Sequence, residues 1–171
     1  MSGMSKLRNA ILALIVVGAF GFALYTGVLS STPAPGIIFT SLKGEKIATS
    51  ALRGRVVVVN FWATDCATCV KEMPYMVRTY NKYHAQGLDF IGVAMKHDPP
   101  NYVISYTEKN ALPFTVALDP LGDAAKAFGN VKLTPTTFVI DRRGNIVSRI
   151  LGEPDFAKLH TLIEQKLAEP A

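Results

Sequence analysis

Cysteine is scarce in this sequence of 171 residues: only two occur, Cys66 and Cys69. The chain has no second Cys-x-x-Cys pair, and its three histidines, His84, His97 and His160, lack the spacing of zinc ligands, so a structural zinc site is not supported. Basic runs and basic residues interleaved with aromatic ones are also missing. The formal net charge of +5 therefore gives no indication of nucleic-acid binding.

Charge is absent from residues 10–29, a stretch of twenty residues. As a helix this stretch would span about 30 Å, the thickness of the apolar core of a bilayer. Lys6 and Arg8 precede it, and no further Lys or Arg occurs before Lys43. The positive-inside rule then predicts a cytoplasmic segment at residues 1–9, a transmembrane signal anchor, and export of the remainder.

The segment after the predicted anchor has the composition of a linker. Residues 30–36 are small or proline, and we expect them to connect the membrane to a globular domain over residues 37–171. A cleaved signal peptide is the alternative, although the residues that follow the apolar run form at best a weak cleavage site.

The two cysteines stand directly after an apolar run at residues 56–61, which is typical of a strand buried on both faces. At the start of a helix, positions i and i+3 lie on one face, so both sulfurs could close into a disulfide. The helix dipole would stabilise a thiolate at Cys66, the expected nucleophile, and Cys69 would be the buried resolving thiol. A purely structural bridge is disfavoured because so short a loop removes little entropy from the unfolded chain.

Periodicity and turn residues predict an alternation of strands and helices. Strands are expected at 37–42 and 46–52 as a hairpin, then at 56–61, 88–95, 115–118, 136–141 and 146–151; helices are expected at 66–86, 101–110, 123–128 and from the N-cap Asp155 to about Leu167. Pro74 is expected to kink the first of these helices. This order predicts an α/β fold, with a mixed central sheet covered by helices on both sides.

Two strings carry a resemblance to a known family: residues 57–74 (VVVNFWATDCATCVKEMP) and residues 133–141 (LTPTTFVID). They resemble the thioredoxin superfamily, and within it the TlpA/ResA-like branch of membrane-anchored bacterial thiol-disulfide oxidoreductases. The likeness covers about residues 37–167. It implies a thioredoxin-like fold with an N-terminal β-hairpin and a helical insertion, preceded by one transmembrane helix.

The resemblance also implies roles for residues around the cysteines. Pro135 would be a cis proline that faces the Cys-x-x-Cys motif, and Thr134 would lie beside the disulfide and pair with an extended client. Trp62 and Asp65 are grouped with them as client-binding or modulating residues. Asp65 replaces the Trp that is usual in this branch; if ionised, it would raise the pKa of Cys66 and favour a reductant. Alternatively, Asp65 is a helix N-cap or a solvated turn residue.

Asn60 stands where cytosolic thioredoxins carry a buried aspartate that accepts a proton. By resemblance, an asparagine is common at this position in the TlpA/ResA-like branch. A glutamate or lysine elsewhere in the chain would then substitute for it, and Glu72 and Glu108 are the candidates.

These observations predict an exported, membrane-anchored reductase that acts by dithiol-disulfide exchange, with no metal and no cofactor beyond the Cys66–Cys69 pair. By resemblance, the domain would lie in the periplasm or on the outer face of a bacterial inner membrane. Its partners would be an integral membrane thiol reductant and exported disulfide clients, such as apocytochromes c or copper-site proteins of oxidase assembly.

Two alternatives to the reductase remain open. One is a Cu(I) chaperone that uses the two thiolates, with Met73 or Met76 nearby, although these methionines fit a core stripe better. The other is a thiol oxidase or isomerase. A peroxidase is disfavoured because the Pro-x-x-x-Thr-x-x-Cys pattern expected before its nucleophile is missing.

Overall fold

The computed structural model describes residues 32–170. Within this part of the chain, no helix combines the length and apolar character needed to cross a membrane. The predicted cytoplasmic segment at 1–9 and the predicted anchor at 10–29 lie outside the described residues.

Eight strands of the described part form one mixed sheet. They are β1 (Thr32–Pro33), β2 (Ile38–Ser41), β3 (Lys46–Ala48), β4 (Val56–Trp62), β5 (Leu88–Ala94), β6 (Thr115–Leu118), β7 (Thr136–Ile140) and β8 (Asn145–Leu151). Their spatial order is β1-β8-β7-β4-β5-β6-β2-β3. β4, β5 and β6 run parallel, whereas β7 is antiparallel to β4 and to β8. The predicted hairpin, β2 and β3, pairs antiparallel and joins the sheet beside β6.

Helices cover both faces of this sheet. They are α1 (Ala67–Tyr83), α2 (Pro100–Lys109), α3 (Asp123–Ala127) and α4 (Phe156–Ala168), with short 3-10 helices at Thr49–Leu52 and His84–Gln86. The α2 helix is the predicted insertion between β5 and β6. The closing helix α4 begins as expected, because the Asp155 carboxylate accepts hydrogen bonds from the amides of Ala157 and Lys158.

The β4 strand lies at the centre of the sheet, and all seven of its residues are buried. Its β-branched side chains suit a strand that is covered on both faces. Alternate residues point to opposite faces: Val58 and Trp62 join the core under α1, while Val59 and Phe61 join the core on the other face. The strand therefore ends inside the protein, and the chain emerges immediately before the cysteines.

The α1 helix follows the predicted course with small changes at its ends. Cys66 is its N-cap and not its first helical residue, and the helix continues through Pro74. After the 3-10 turn, Gly87 takes a positive φ of 110°, which favours glycine, and the chain turns into β5.

Two residues of the predicted linker belong to the sheet. Thr32 and Pro33, assigned to the linker over residues 30–36, form β1 at the edge of the sheet. The next residue is also held, because the Ala34 amide donates a hydrogen bond of 2.9 Å to the Gly144 carbonyl. The proline-rich composition predicted a linker without regular structure. The pairing partner, β8, lies more than 100 residues later in the chain, and no local pattern indicates it.

Candidate active site

Cys66 and Cys69 form a disulfide at the N-terminus of α1. Cys66 is half-buried, whereas Cys69 is fully buried, as predicted for an attacking and a resolving sulfur. The Cys69 amide donates a hydrogen bond of 3.2 Å to the sulfur of Cys66. In the reduced protein, this amide and the positive end of the helix dipole would stabilise a thiolate on Cys66.

The turn that precedes Cys66 is held by a buried carboxylate. Asp98, which is 5% exposed, accepts hydrogen bonds of 2.6 Å from both the amide and the hydroxyl of Thr64. Asp98 lies in the loop between β5 and α2, 34 positions from Thr64 in sequence. No local motif indicates this contact, because only the parallel pairing of β4 with β5 brings the two loops together.

Asp65 is a solvated turn residue. Its side chain is 73% exposed and lies near His97, with 3.6 Å between the carboxylate oxygen and Nε2. The N-cap position belongs to Cys66, so the N-cap alternative for Asp65 is wrong. Water and salt screen an exposed carboxylate, so the repulsion between Asp65 and a thiolate on Cys66 is weaker than expected from their adjacency in sequence.

The Thr134–Pro135 peptide bond is cis, as the resemblance implied. Thr136, the next residue, is paired with Phe61, so Pro135 adjoins the end of β4 that leads into the cysteine turn. Pro135 is buried and its carbonyl accepts a hydrogen bond of 2.8 Å from Gly152, while Thr134 is half-buried.

Trp62 is fully buried, so its side chain cannot contact a client in this structure. Its ring packs against Tyr106, with 5.2 Å between the ring centroids. A Cβ atom at Gly92, on the neighbouring strand, would lie only 3.2 Å from the Trp62 indole nitrogen. Its indole belongs to the core beneath the site, so direct client contact is corrected, whereas a modulating role for Trp62 stays a prediction.

A buried polar network lies between β4, β7 and α1. The Asn60 side-chain amide donates hydrogen bonds of 2.9 Å to Glu72 and 3.0 Å to Thr137, and all three residues are fully buried. The second carboxylate oxygen of Glu72 has no hydrogen-bond partner within residues 32–170. Burial raises the pKa of Glu72 from 4.5 to about 7, against the lowering effect of the Asn60 hydrogen bond; the charge of Glu153 raises it further.

The structure thus separates the two glutamates named as possible proton acceptors. Glu108 is exposed on α2. Glu72 lies three residues after Cys69, on the same face of α1. A carboxyl group with a pKa near 7 can both accept and release a proton under neutral conditions. Of the two glutamates, Glu72 is therefore the one whose burial, pKa and position on α1 suit the predicted proton exchange with Cys69.

The two methionines considered as Cu(I) ligands belong to the apolar core, as their spacing predicted. Met73 and Met76 are fully buried in the core under α1, where they pack with apolar neighbours. Among residues 32–170, no group of three or more His, Cys, Asp or Glu side chains is arranged to hold a metal ion.

These features define a thiol-disulfide oxidoreductase with a thioredoxin-like fold. The disulfide lies at a helix N-terminus, one of its sulfurs is accessible and the other buried, and a cis proline adjoins the neighbouring strand. The chain belongs to the Redoxin family, whose profile matches residues 29–163.

Similar proteins agree with this assignment. The thiol-disulfide oxidoreductase ResA of Bacillus cereus is 35% identical over 167 residues, which cover 93% of this chain and 95% of that protein. ResA of Bacillus subtilis is 30% identical over 164 residues, covering 90% and 88%. Among solved structures, a thiol:disulfide interchange protein of the thioredoxin family from Chlorobium tepidum matches with a TM-score of 0.73 and 28% identity, covering 81% of this chain and 97% of that one.

Proposed function

We propose that this oxidoreductase works as a reductase of protein disulfides outside the cytosol. The thiolate of Cys66 attacks one sulfur of a client disulfide; a mixed disulfide forms, and the other client sulfur leaves as a thiolate. Cys69 then loses its proton and attacks the sulfur of Cys66. The Cys66–Cys69 disulfide closes, the second client thiol is released, and two electrons have passed to the client.

The observation that carries this proposal is the buried carboxyl group of Glu72. Cys69 has no surface exposed to water, so a group within the protein must take its proton when it attacks, and Glu72 is suited to this by its position and its pKa of about 7. When ionised, Glu72 also disfavours a thiolate on Cys69. This stabilises the disulfide over the dithiol, which makes the reduced protein the stronger electron donor.

The proposed setting is the outer face of a bacterial inner membrane. The uncharged residues 10–29, preceded by Lys6 and Arg8, support an anchor with the catalytic domain exported. An exported reductase must be reduced again from outside its own chain, so its electron donor is an integral membrane thiol relay. Its clients are exported proteins with a disulfide to open, with apocytochromes c and copper-site proteins as the first to test.

The experiment is to trap the mixed disulfide. Cys69→Ser retains the attacking sulfur but cannot resolve the adduct, so exported proteins should accumulate as disulfide-linked adducts of Cys66. The matched control is Cys66→Ser, which retains only the buried sulfur and should trap little.

Turnover of a model disulfide by the wild-type protein is measured in parallel. No adducts together with no turnover would contradict the proposal. Tight stoichiometric Cu(I) binding without reductase activity would instead identify a copper carrier.

A further inference from the structure

A cleft of about 610 Å³ lies on the side of the active site where the chain leaves β5. One wall is formed by the loop that begins at Met95, and the other by the chain from Leu121 to Lys132, which includes α3. The proton-transfer residues and the disulfide do not line this cleft. Its residues are therefore not explained by the exchange chemistry.

The rim of the cleft is cationic. Lys96, Lys126 and Lys132 line it together with His97, and no aspartate or glutamate is among the lining residues. Within the described part of the chain, none of the three lysines forms an ion pair. The rim therefore holds three lysine charges, none of which is paired with a carboxylate of residues 32–170.

Two of the nearby carboxylates accept hydrogen bonds from backbone or hydroxyl groups, and none of those within residues 32–170 pairs with the three lysines, including the exposed Asp123 next to Gly122. Asp119 is buried and accepts hydrogen bonds from the amides of Ala124 and Ala125 at the start of α3. Asp98 is held by Thr64, and the exposed Asp65 lies near His97. An incoming carboxylate would thus meet lysines without having to displace an acidic side chain from them.

The floor of the cleft is apolar. Met95, Ala125 and Val131 are buried beneath it, and Leu121 is 79% exposed at its edge. Gly122 leaves room for the side chain of Lys96, because a Cβ atom at Gly122 would lie only 3.2 Å from it. An apolar floor with a lysine rim fits a peptide that carries both apolar and acidic side chains.

Two connections join the cleft to the disulfide. His97, on its rim, lies 3.6 Å from Asp65, the residue before Cys66. Lys132, on the opposite wall, is followed after one residue by Thr134 and the cis Pro135. A client chain that crosses the site beside Thr134 would reach the cleft within a few residues, since an extended chain advances about 3.3 Å per residue.

We propose that this cleft binds an acidic segment of the client polypeptide close to the cysteine that Cys66 attacks, and so selects clients by charge. The inference rests on the proposed exchange reaction and adds a substrate preference to it. The lysine rim raises the rate of encounter with acidic clients, while the apolar floor holds the docked segment.

The test uses two synthetic peptides with the same internal disulfide, followed by either three glutamates or three glutamines. The pre-reduced protein is mixed with each peptide, and the appearance of reduced peptide is followed by mass spectrometry. At low ionic strength the glutamate peptide should react about tenfold faster. In about 0.5 M salt, which shortens the screening length to a few ångströms, the preference should largely disappear.

The decisive variant replaces the three rim lysines together: Lys96→Gln, Lys126→Gln and Lys132→Gln. It should react with both peptides at the rate that the wild type shows for the glutamine peptide.

The matched control changes three exposed lysines outside the cleft, Lys43→Gln, Lys109→Gln and Lys158→Gln, so that its net charge equals that of the decisive variant. It should keep most of the preference. Equal loss in both variants would overturn the cleft as the binding site, as would full retention in the rim variant. If the wild-type protein reduces neither peptide, the exchange function itself fails, which is a distinct outcome.

Discussion

The two faces of the central sheet differ in their buried polar groups, although β4 contributes side chains to both. On the face away from α1, Phe61, Phe128 and Phe138 pack edge to face, with ring centroids 5.0–5.9 Å apart. On the face toward α1, the buried side chains include Asn60 and Glu72, and one carboxylate oxygen has no partner. We call the first the aromatic face and the second the polar face. The core of the polar face is also mainly apolar and includes Phe90 and Phe114, but burying the Glu72 carboxyl group there costs stability.

The largest effect on stability is expected on the aromatic face. Phe138→Ala removes one of the three rings and leaves a cavity, so the free energy of unfolding should fall by about 3–5 kcal/mol. Urea denaturation followed by the fluorescence of Trp62, the single tryptophan, measures this change. Leu133→Ala is the control: Leu133 is 62% exposed, and its loss should cost less than about 0.5 kcal/mol. Equal losses in both variants would contradict the contrast between the faces.

On the polar face, the expected effect depends on pH. The folded-state pKa of Glu72, about 7, exceeds its unfolded value near 4.5, so the folded protein binds more protons between these values. The free energy of unfolding of the wild type should therefore fall by about 3 kcal/mol as the pH rises from 4.5 to 7, through this group alone.

Glu72→Gln should remove that part of the pH dependence while keeping an acceptor for Asn60. Its stability relative to the wild type should therefore increase as the pH rises, as measured by urea denaturation of the oxidised proteins at pH 5 and pH 8. A difference that does not change with pH would show that Glu72 is not the titrating group. Disulfide exchange at neutral pH should be slower in this variant, because Cys69 loses its proton acceptor.

The hydrogen bonds between Asp98 and Thr64 should contribute less to stability. Asp98→Ala leaves the Thr64 amide and hydroxyl without their buried acceptor, so stability should fall by about 2 kcal/mol. Thr64→Val removes only the hydroxyl contact and should cost less. Thermal unfolding of both variants checks this order, and a larger loss in Thr64→Val would mean that the hydroxyl, not the amide, is the important donor.

The smallest effect is expected at Asp65, at the exposed edge of the polar face. Asp65→Asn removes a screened surface charge and should change the rate of alkylation of Cys66 by less than about twofold. Alkylation with a neutral reagent over a range of pH measures both the rate and the pKa of Cys66. A fall of a full unit in the pKa of Cys66 would contradict this prediction, because it would show that the Asp65 charge strongly disfavours the thiolate.

Local features were the most predictable part of this protein. The β-branched run of β4, the Cys-x-x-Cys at a helix start and the Asp155 cap depend on residues close together in sequence, and each was found where expected. Trp62 shows the limit of such reasoning. Its position next to the site suggested client contact, but the packing of Tyr106 over its ring buries it.

Pairing between distant strands produces the contacts that local sequence patterns do not indicate. Asp98 reaches Thr64 because β5 lies parallel beside β4, and Thr137 reaches Asn60 because β7 lies antiparallel on the other side. No periodicity or motif encodes which strands become neighbours. The cationic cleft has the same origin, since its lysines are separated by up to 36 positions in the chain.

The sequence by itself determined that two cysteines share one helix start after a buried strand, because spacing and hydrophobic pattern act over a few residues. Only the tertiary structure decided which of the two candidate glutamates is buried and where the lysines of the cleft gather. The physical reason is that pKa values, exposure and surface charge depend on desolvation and on neighbours, and strands distant in sequence supply most of those neighbours.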